Sequence, residues 1–341
     1  MPVGGSEAKA ITPGELTLRL EQSLVPMTVT HVAECPDLGP ECFSGGPAPT
    51  PYNHHVDQVI AETVLDASLA ITSWFAVDTR WSFRIADVNP TYSELDGTPK
   101  QVPNDIHHHD ETLFDITDPW LLGRFAASRG NFVGIARLGL SFPIGRTEED
   151  PYRLGRQGKS HEHLQAGTGT FVPIVGFGMA YTIAPVTIAL GGIGFFNFYE
   201  SSKGYRAPAR LYGNHRVSVA LLDGKLTPFV EATLAHEGEE YWHGEVGLEG
   251  SNVRTEVFLG GGIGWRFSDP WTLEATVRGR VAALTDAPAF KQSGLFSLAL
   301  STSFDLWQTA EERPKSETNE KDTEPGIVEK RKGDVIEFEK K

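Results

Sequence analysis

The chain has 341 residues, 22% of them charged, and a formal net charge of −15. That length allows one large domain or two ordinary ones, and the acidic balance offers no basic surface to phosphates, so no nucleic-acid partner is expected. No run of about 18 apolar residues occurs, which excludes a membrane-crossing helix but not a barrel, whose strands alternate and leave hydropathy unremarkable.

Residues 1–13 lack the basic start and apolar core of a signal peptide, and they are expected to be a flexible N-terminal segment. Either the chain is cytosolic, or it is a mature exported chain whose signal has given way to an initiator Met. The pattern that follows favours the second. After a first strand near 15–32 comes "ECPDLGPEC", with Cys35 and Cys42 flanking Pro36, Gly39 and Pro40 in a tight loop. A Cys35–Cys42 disulfide is expected, which requires an oxidising compartment. Two unpaired thiols or a pair of metal ligands are the alternatives.

Beyond this loop the chain reads as strand after strand. In "FAVDTRWSFRI", Phe75, Val77, Trp81, Phe83 and Ile85 oppose Asp78, Arg80, Ser82 and Arg84; in "WTLEATVRGRVAAL", Trp271, Leu273, Ala275, Val277, Gly279 and Val281 oppose Thr272, Glu274, Thr276, Arg278 and Arg280. Period-two alternation of this kind means strands with one apolar face and one charged face. Strands are expected near 15–32, 57–71, 74–87, 114–127, 131–145, 168–182, 185–198, 209–222, 225–235, 252–267, 271–285 and 293–307, twelve in all. Connections between them alternate in length. Very short turns fall at Thr72–Ser73, Ser128–Gly130, Ile183–Ala184, Asp223–Gly224 and Ser268–Pro270, and long loops at 33–56, 88–113, 146–167, 199–208 and 236–251, with a shorter one at 286–292. A soluble sandwich has no reason to gather its long loops at one end. A transmembrane barrel does: its periplasmic turns are tight and its outer loops long. The fold class is therefore all-β, a 12-stranded antiparallel up-and-down transmembrane β-barrel over 14–307. Pro26, Pro119, Pro143, Pro173 and Pro228 lie in or near strands, where each removes a ladder donor. His215 falls on the lipid face by strict alternation, so a bulge or a shifted register is expected there.

On these strands, on the terminal aromatic alternation of "GLFSLALSTSFDLW" and on Trp74, Trp120, Trp265, Trp271 and Trp307 at strand ends, the chain resembles Gram-negative outer-membrane β-barrels. "GTGTFVPIVGFGMAY" is similar to a segment of outer-membrane transporters of the phenol-degradation MetA-pathway type. The resemblance implies an outer-membrane location, with lipid as the surroundings. Residues 308–341 are charged, poor in aromatics and broken by Pro and Gly. They are expected to be a disordered periplasmic tail or linker through which a periplasmic partner or a following domain is held.

In this topology the long loops face outward and carry almost every histidine. "NDIHHHDETLFD" holds His107, His108, His109, Asp110 and Glu111; His54 and His55 lie in the first loop, His161 and His163 in the third, and His236 and His243 in the fifth. Imidazole is the commonest ligand for Zn, Cu and Ni. His-x-His in extended chain puts both rings on one face, so His107 with His109 and His161 with His163 are expected to converge as a metal site. Asp110 and Glu162 would orient the rings or act as ligands. Ca on the acidic loops ranks below these metals, and plain solvated loops are the bland alternative. The lumen is expected to hold Arg19, Glu21, Glu62, Asp66, Asp78, Arg80, Arg84, Arg137, Arg210, Arg216, Glu231, Glu256, Glu274, Arg278 and Arg280. Mixed charge there either lines a selective aqueous path or pairs across the lumen into a polar core. The function expected is an outer-membrane channel or transporter for a small cationic solute, capturing a divalent transition metal at its mouth. The alternatives are a closed barrel serving as an anchor and a membrane-embedded hydrolase. No enzyme is expected, since no strained nucleophile motif appears.

Overall fold

The structure is a computed structural model. It describes residues 10–32, 39–45, 50–102, 105–107, 109–247, 253–285 and 290–307, and the backbone of 328–332 and 335–339. The alternation of the sequence folds into twelve antiparallel strands: β1 (Glu15–Val32), β2 (Asn53–Ala70), β3 (Phe75–Ser93), β4 in two pieces (Glu111–Ile116 and Trp120–Arg129), β5 (Phe132–Ser141), β6 (Val172–Ile183), β7 (Val186–Phe195), β8 (Arg210–Val219), β9 (Leu226–Glu237), β10 (Arg254–Ser268), β11 (Trp271–Ala283) and β12 in two pieces (Phe290–Gln292 and Gly294–Asp305). Each pairs with the next. β12 returns to β1, from Glu15 opposite Asp305 to Leu24 opposite Phe296, and so closes the sheet into a barrel. The expected strand count, order and antiparallel sense are those observed.

Large apolar side chains cover the outside in every second position. Leu20, Leu24, Val59, Leu65, Trp81, Phe83, Leu138, Leu140, Val175, Phe177, Val277 and Phe296 are all exposed. A soluble protein does not expose a contiguous apolar surface of this size, whereas a bilayer requires it. No helix among the described residues is long and apolar enough to cross a membrane; the spanning elements are strands. Their tight turns gather at one end, where Gly130, at φ +59°, takes a left-handed conformation that a Cβ would penalise. The long connections gather at the other end, which in a barrel of this kind is the outer one. Its longest connection, between β5 and β6, carries the single turn of helix Pro151–Arg156, capped by Asp150, whose carboxylate accepts from the Tyr152 and Arg153 amides at 2.9 and 3.1 Å.

The prolines explain where the ladder breaks. Opposite Pro26, β12 is interrupted at Ser293, and the register of β1 against β12 slips by one residue between Met27–Gln292 and Leu24–Phe296. Pro119 closes the interruption of β4, and the register against β3 slips by one there too. Pro173 sits second in β6 and pairs with Leu140, while Pro228 stays within β9 opposite Ile263. The bulge or shifted register expected at His215 is absent. It pairs in register with Leu190 and Ala232, its side chain is exposed on the outer face, and its neighbours Asn214 and Arg216 point inward and are buried.

The inward charges pair. Arg80 binds Asp66 at 2.6 Å, and Asp78 takes Arg124 at 3.1 Å and Arg137 at 3.6 Å. Arg19 binds Glu21 at 2.9 Å and Glu274 at 3.1 Å, Arg216 binds Glu274 at 3.1 Å and Glu231 at 2.9 Å, and Arg278 binds Glu231. The bonds from Glu274 reach β1 and β8, neither adjacent to β11, so they run through the lumen rather than along its wall. By position along the strands this network occupies the periplasmic half.

The chain divides into two compact units, the second spanning Trp307–Lys341. Within it, Val328–Lys332 pairs antiparallel with Val335–Glu339, in a stretch expected to be disordered. Residues 308–327 of that stretch, like residues 1–9, lie outside the described residues.

The lumenal network generates a stability prediction. Glu231→Ala leaves two buried guanidiniums, Arg216 and Arg278, without their shared carboxylate. It should lower the unfolding free energy by about 3–5 kcal/mol, read as an earlier urea midpoint in lipid vesicles. An unchanged midpoint contradicts the importance given to this network.

Candidate functional site

Above the ion-paired half, the lumen opens into a cavity of about 410 Å³. Its wall is apolar on one side, from Val25, Met27 and Val29 of β1 and Val56 and Ile60 of β2. It is polar elsewhere, from Glu62, Arg80, Ser82, Arg84, Arg210, Tyr212 and Arg254. Of the expected lumenal residues, Glu62, Arg80, Arg84 and Arg210 therefore line the cavity. Asp78, Arg137, Glu231, Glu274 and Arg278 belong to the network beneath it, and Arg280 binds Glu256 at 2.8 Å.

The roof is made by loops. The β5–β6 loop turns back into the mouth and is held there by Asp118, which stands at the interruption of β4. Its carboxylate accepts from the Gly145 amide at 2.8 Å, the Thr168 amide at 2.7 Å and the Thr168 hydroxyl at 2.8 Å. The two limbs of the loop meet at Gly145 and Gly167, so closely that a Cβ on Gly145 would stand 2.7 Å from the Gly167 Cα. Only glycine permits that approach. On the same roof Tyr152, Tyr205, Ala207 and Trp242 form a buried cluster. The aromatic ring of Tyr205 packs at a tilt against Trp242, centroids 4.8 Å apart, and burial pushes its hydroxyl pKa far up.

The histidines of the opening loops meet here, in a different pairing from the one the spacing implies. His107 from the β3–β4 loop and His161 and His163 from the β5–β6 loop bring their ring nitrogens within 4.8 Å of one another. His107 and His161 are 1% and 3% exposed. The ring of His163 stacks on His107 at 4.7 Å, and the fully buried His54 lies edge-on to His107 at 5.9 Å, between Tyr52 and Tyr92. The segment is positioned by its backbone: the His107 amide donates to Asp105 at 2.8 Å, and the His161 amide donates to the Ile106 carbonyl at 3.0 Å. That last bond ties the two loops together.

His109 does not join this group. Residues 105–107, 109 and 110 belong to no strand, so the two-residue alternation that would set His107 and His109 on one face does not operate. His109 instead lies with Glu111 and Glu162 in a second cluster. Its Nδ1 is 2.9 Å from Glu162 Oε1, and its Nε2 shares a hydrogen bond of 2.9 Å with the Ser160 hydroxyl. Burial, followed by the hydrogen bond and charge of Glu111 and the charge of Glu148, pushes the Glu162 carboxyl up to about 9, so it is neutral at pH 7. Asp110 lines the outer pocket that this cluster shares with Glu148, Glu149 and His161, and it is not among the residues that come together with His107 and His163. His55 is remote from both groups: it is half-exposed beside Asp57 at 3.4 Å and Thr30 at 3.0 Å. His108 and Cys35 lie outside the described residues. Cys42 lies in the turn Pro40–Phe43 and is not a free thiol.

Sequence reasoning placed Glu111 in an outward loop but missed Asp118 as part of the mouth. An Asp-Pro pair interrupting a strand was the one local signal for it.

No protein-family model matches the chain, and no curated protein does. Among solved structures, the chain is similar to an outer-membrane channel from Pseudomonas putida F1, with 11% identity and a TM-score of 0.57 over 89% of this chain and 100% of that one. A FadL homologue of Pseudomonas aeruginosa is also similar, with 8% identity and a TM-score of 0.39 over 88% and 96% of the two chains. So is CymD, a monoaromatic hydrocarbon channel, with 7% identity and a TM-score of 0.40 over 86% and 89%. The last two likenesses are too loose to bear on this chain's solute. The fold is that of Gram-negative outer-membrane barrels, and the apolar outer band seats this chain in such a membrane.

Asp118→Ala removes three hydrogen bonds to one carboxylate and should free the inward limb of the loop. Hydrogen exchange at the Gly145 and Thr168 amides should then quicken by at least roughly tenfold, while the β1–β2 ladder stays protected. Unchanged exchange at both amides contradicts the anchoring role.

Proposed function

We propose that this outer-membrane barrel is a channel for a small solute, taken in through the loop-roofed mouth and passed by way of the cavity to the ion-paired half of the lumen. One observation carries the reading: an internal space of about 410 Å³ lies between the loop roof and the ion-paired half of the lumen. Conduction requires binding that is favourable but weak, and a wall part apolar and part charged supplies that for a small molecule. The finer part of the proposal is that the solute is cationic. The chain carries a net −15, and the outer pocket presents Asp110, Glu111, Glu148 and Glu149, which concentrate cations before entry. The imidazoles behind that pocket are of a chemistry that holds Zn, Cu or Ni. The Cys35–Cys42 disulfide and a periplasmic partner for the tail belong to the same proposal.

A second reading rests on the line Ser160–His109–Glu162, whose two hydrogen bonds have the sense of a hydrolase triad. Two observations weigh against it. Burial and the neighbouring Glu111 and Glu148 hold the carboxyl at its end well above the usual carboxylate range, and Glu111, Glu148 and Glu149 around it would repel a developing oxyanion. Covalent labelling of Ser160 by a fluorophosphonate would favour this reading; no label favours the channel.

The channel reading is tested by reconstitution into planar bilayers. The protein should conduct with a preference for cations, and Glu148→Gln with Glu149→Gln should reduce that preference. Glu274→Ala, which removes the bridge between Arg19 and Arg216, should raise unitary conductance. Absence of conductance in all three proteins contradicts the channel, and an unchanged ion preference contradicts the cationic solute.

A further inference from the structure

We infer that His107, His161 and His163 form a resident site for a first-row transition ion, Zn(II) foremost, and that the bound ion is a latch holding the β3–β4 loop to the β5–β6 loop over the cavity. It rests on the channel reading only for what the latch closes, not for the site.

The ligand set comes first. Three imidazole groups with nitrogens within 4.8 Å of one another surround a point that an ion with Zn–N bonds of about 2.0–2.1 Å can occupy once those nitrogens draw in to roughly 3.4 Å. Three neutral nitrogens suit Zn, Cu or Ni and not Ca, which takes oxygens. The chemistry of the rings agrees. His161 Nδ1 lies 3.0 Å from the Lys159 carbonyl, which can only accept, so Nδ1 carries the proton and Nε2 keeps its lone pair for a metal. A ring nitrogen donating to a backbone carbonyl is the support that metal-binding imidazoles commonly have. The second cluster leaves the trio undisturbed: Glu162 lies between His161 and His163 in sequence, but its carboxyl group is turned to His109.

Placement argues for a latch rather than cargo in transit. A passing ion needs exposed, weak ligands, and His107 and His161 are buried. The ligands come from two loops, joined near this point by the bond from the His161 amide to the Ile106 carbonyl. His107 and His163 also line the cavity, so an ion joining them ties its roof. An ion that binds only the closed arrangement stabilises it by mass action.

The test uses the full chain, refolded in detergent and freed of metal with a chelator. Zn(II) titrated by calorimetry should bind at one ion per chain, micromolar or tighter. The double variant His161→Ala with His163→Ala should weaken binding by roughly a hundredfold or more, and His55→Ala should leave it unchanged. Far-UV circular dichroism verifies that each variant keeps its barrel. Zn(II) should slow hydrogen exchange in 105–107 and 160–163 of the wild type, and lower its bilayer conductance until chelator is added; the double variant should show neither effect. No Zn(II) binding, or binding that the double variant retains, overturns the site. Binding that leaves the exchange of both loops unchanged overturns the latch. Slowed exchange in a protein that never conducts upholds site and latch, and refutes the channel reading alone.

Discussion

In hydrocarbon no water is available to a backbone N–H or C=O, so every such group on the spanning segments must find its partner within the sheet. The pairing of β1 with β12 is where this constraint is met: without it, β1 and β12 would both present open edges to lipid. Everything else follows from closure. A closed antiparallel sheet sorts alternate residues to lipid and lumen, sends its connections to opposite ends, and encloses a space whose contents the remaining side chains decide.

That space is divided by chemistry rather than by shape. In the periplasmic half the inward positions are charged and near enough to pair, so Arg19, Glu274, Arg216, Glu231 and Arg278 join both along the β8–β9 ladder and across strands that are not neighbours. Burying such ions is costly unless each is matched, which is why the chain of contacts alternates in sign. In the outer half Val25, Val29, Val56 and Ile60 make one side of the wall apolar, and the charges opposite, such as Arg254 with Glu237, pair along neighbouring strands rather than across the lumen, so the space stays open. The loop held by Asp118 roofs it from outside. The residues that cover the space are thus carried on loops, while the barrel itself supplies a rigid frame.

Much of this was legible in the sequence, because period-two alternation and the alternation of long and short connections are direct consequences of a closed up-and-down sheet. The twelve strands, the lumenal charges and the crowding of histidines at one end follow from those two patterns. The arrangement inside the loops does not. His107 and His109 separate because their segment is not a strand, and no local pattern announces that; Glu162 moves from supporting the imidazoles to binding His109 for the same reason. Asp118 acts on Gly145 and Thr168, 27 and 50 residues away, a distance over which side-chain partners leave no periodic trace. At His215 the alternation was right and the reluctance to leave an imidazole on the lipid face was not: the ladder with Leu190 and Ala232 holds the register against that cost.

The central claim is a water-filled space inside the outer half of a lipid-embedded barrel, and two tryptophans report on it. Trp81 is 41% exposed on the outer face, whereas Trp120 lines the cavity beneath Arg80, whose guanidinium lies 5.3 Å from its ring. Variants of the seven-tryptophan chain that retain only one or the other, placed in vesicles, can be quenched by brominated lipid or by aqueous acrylamide. The account predicts that brominated lipid quenches Trp81 and spares Trp120, while acrylamide quenches Trp120. Quenching of Trp120 by brominated lipid, or by neither agent, would contradict it.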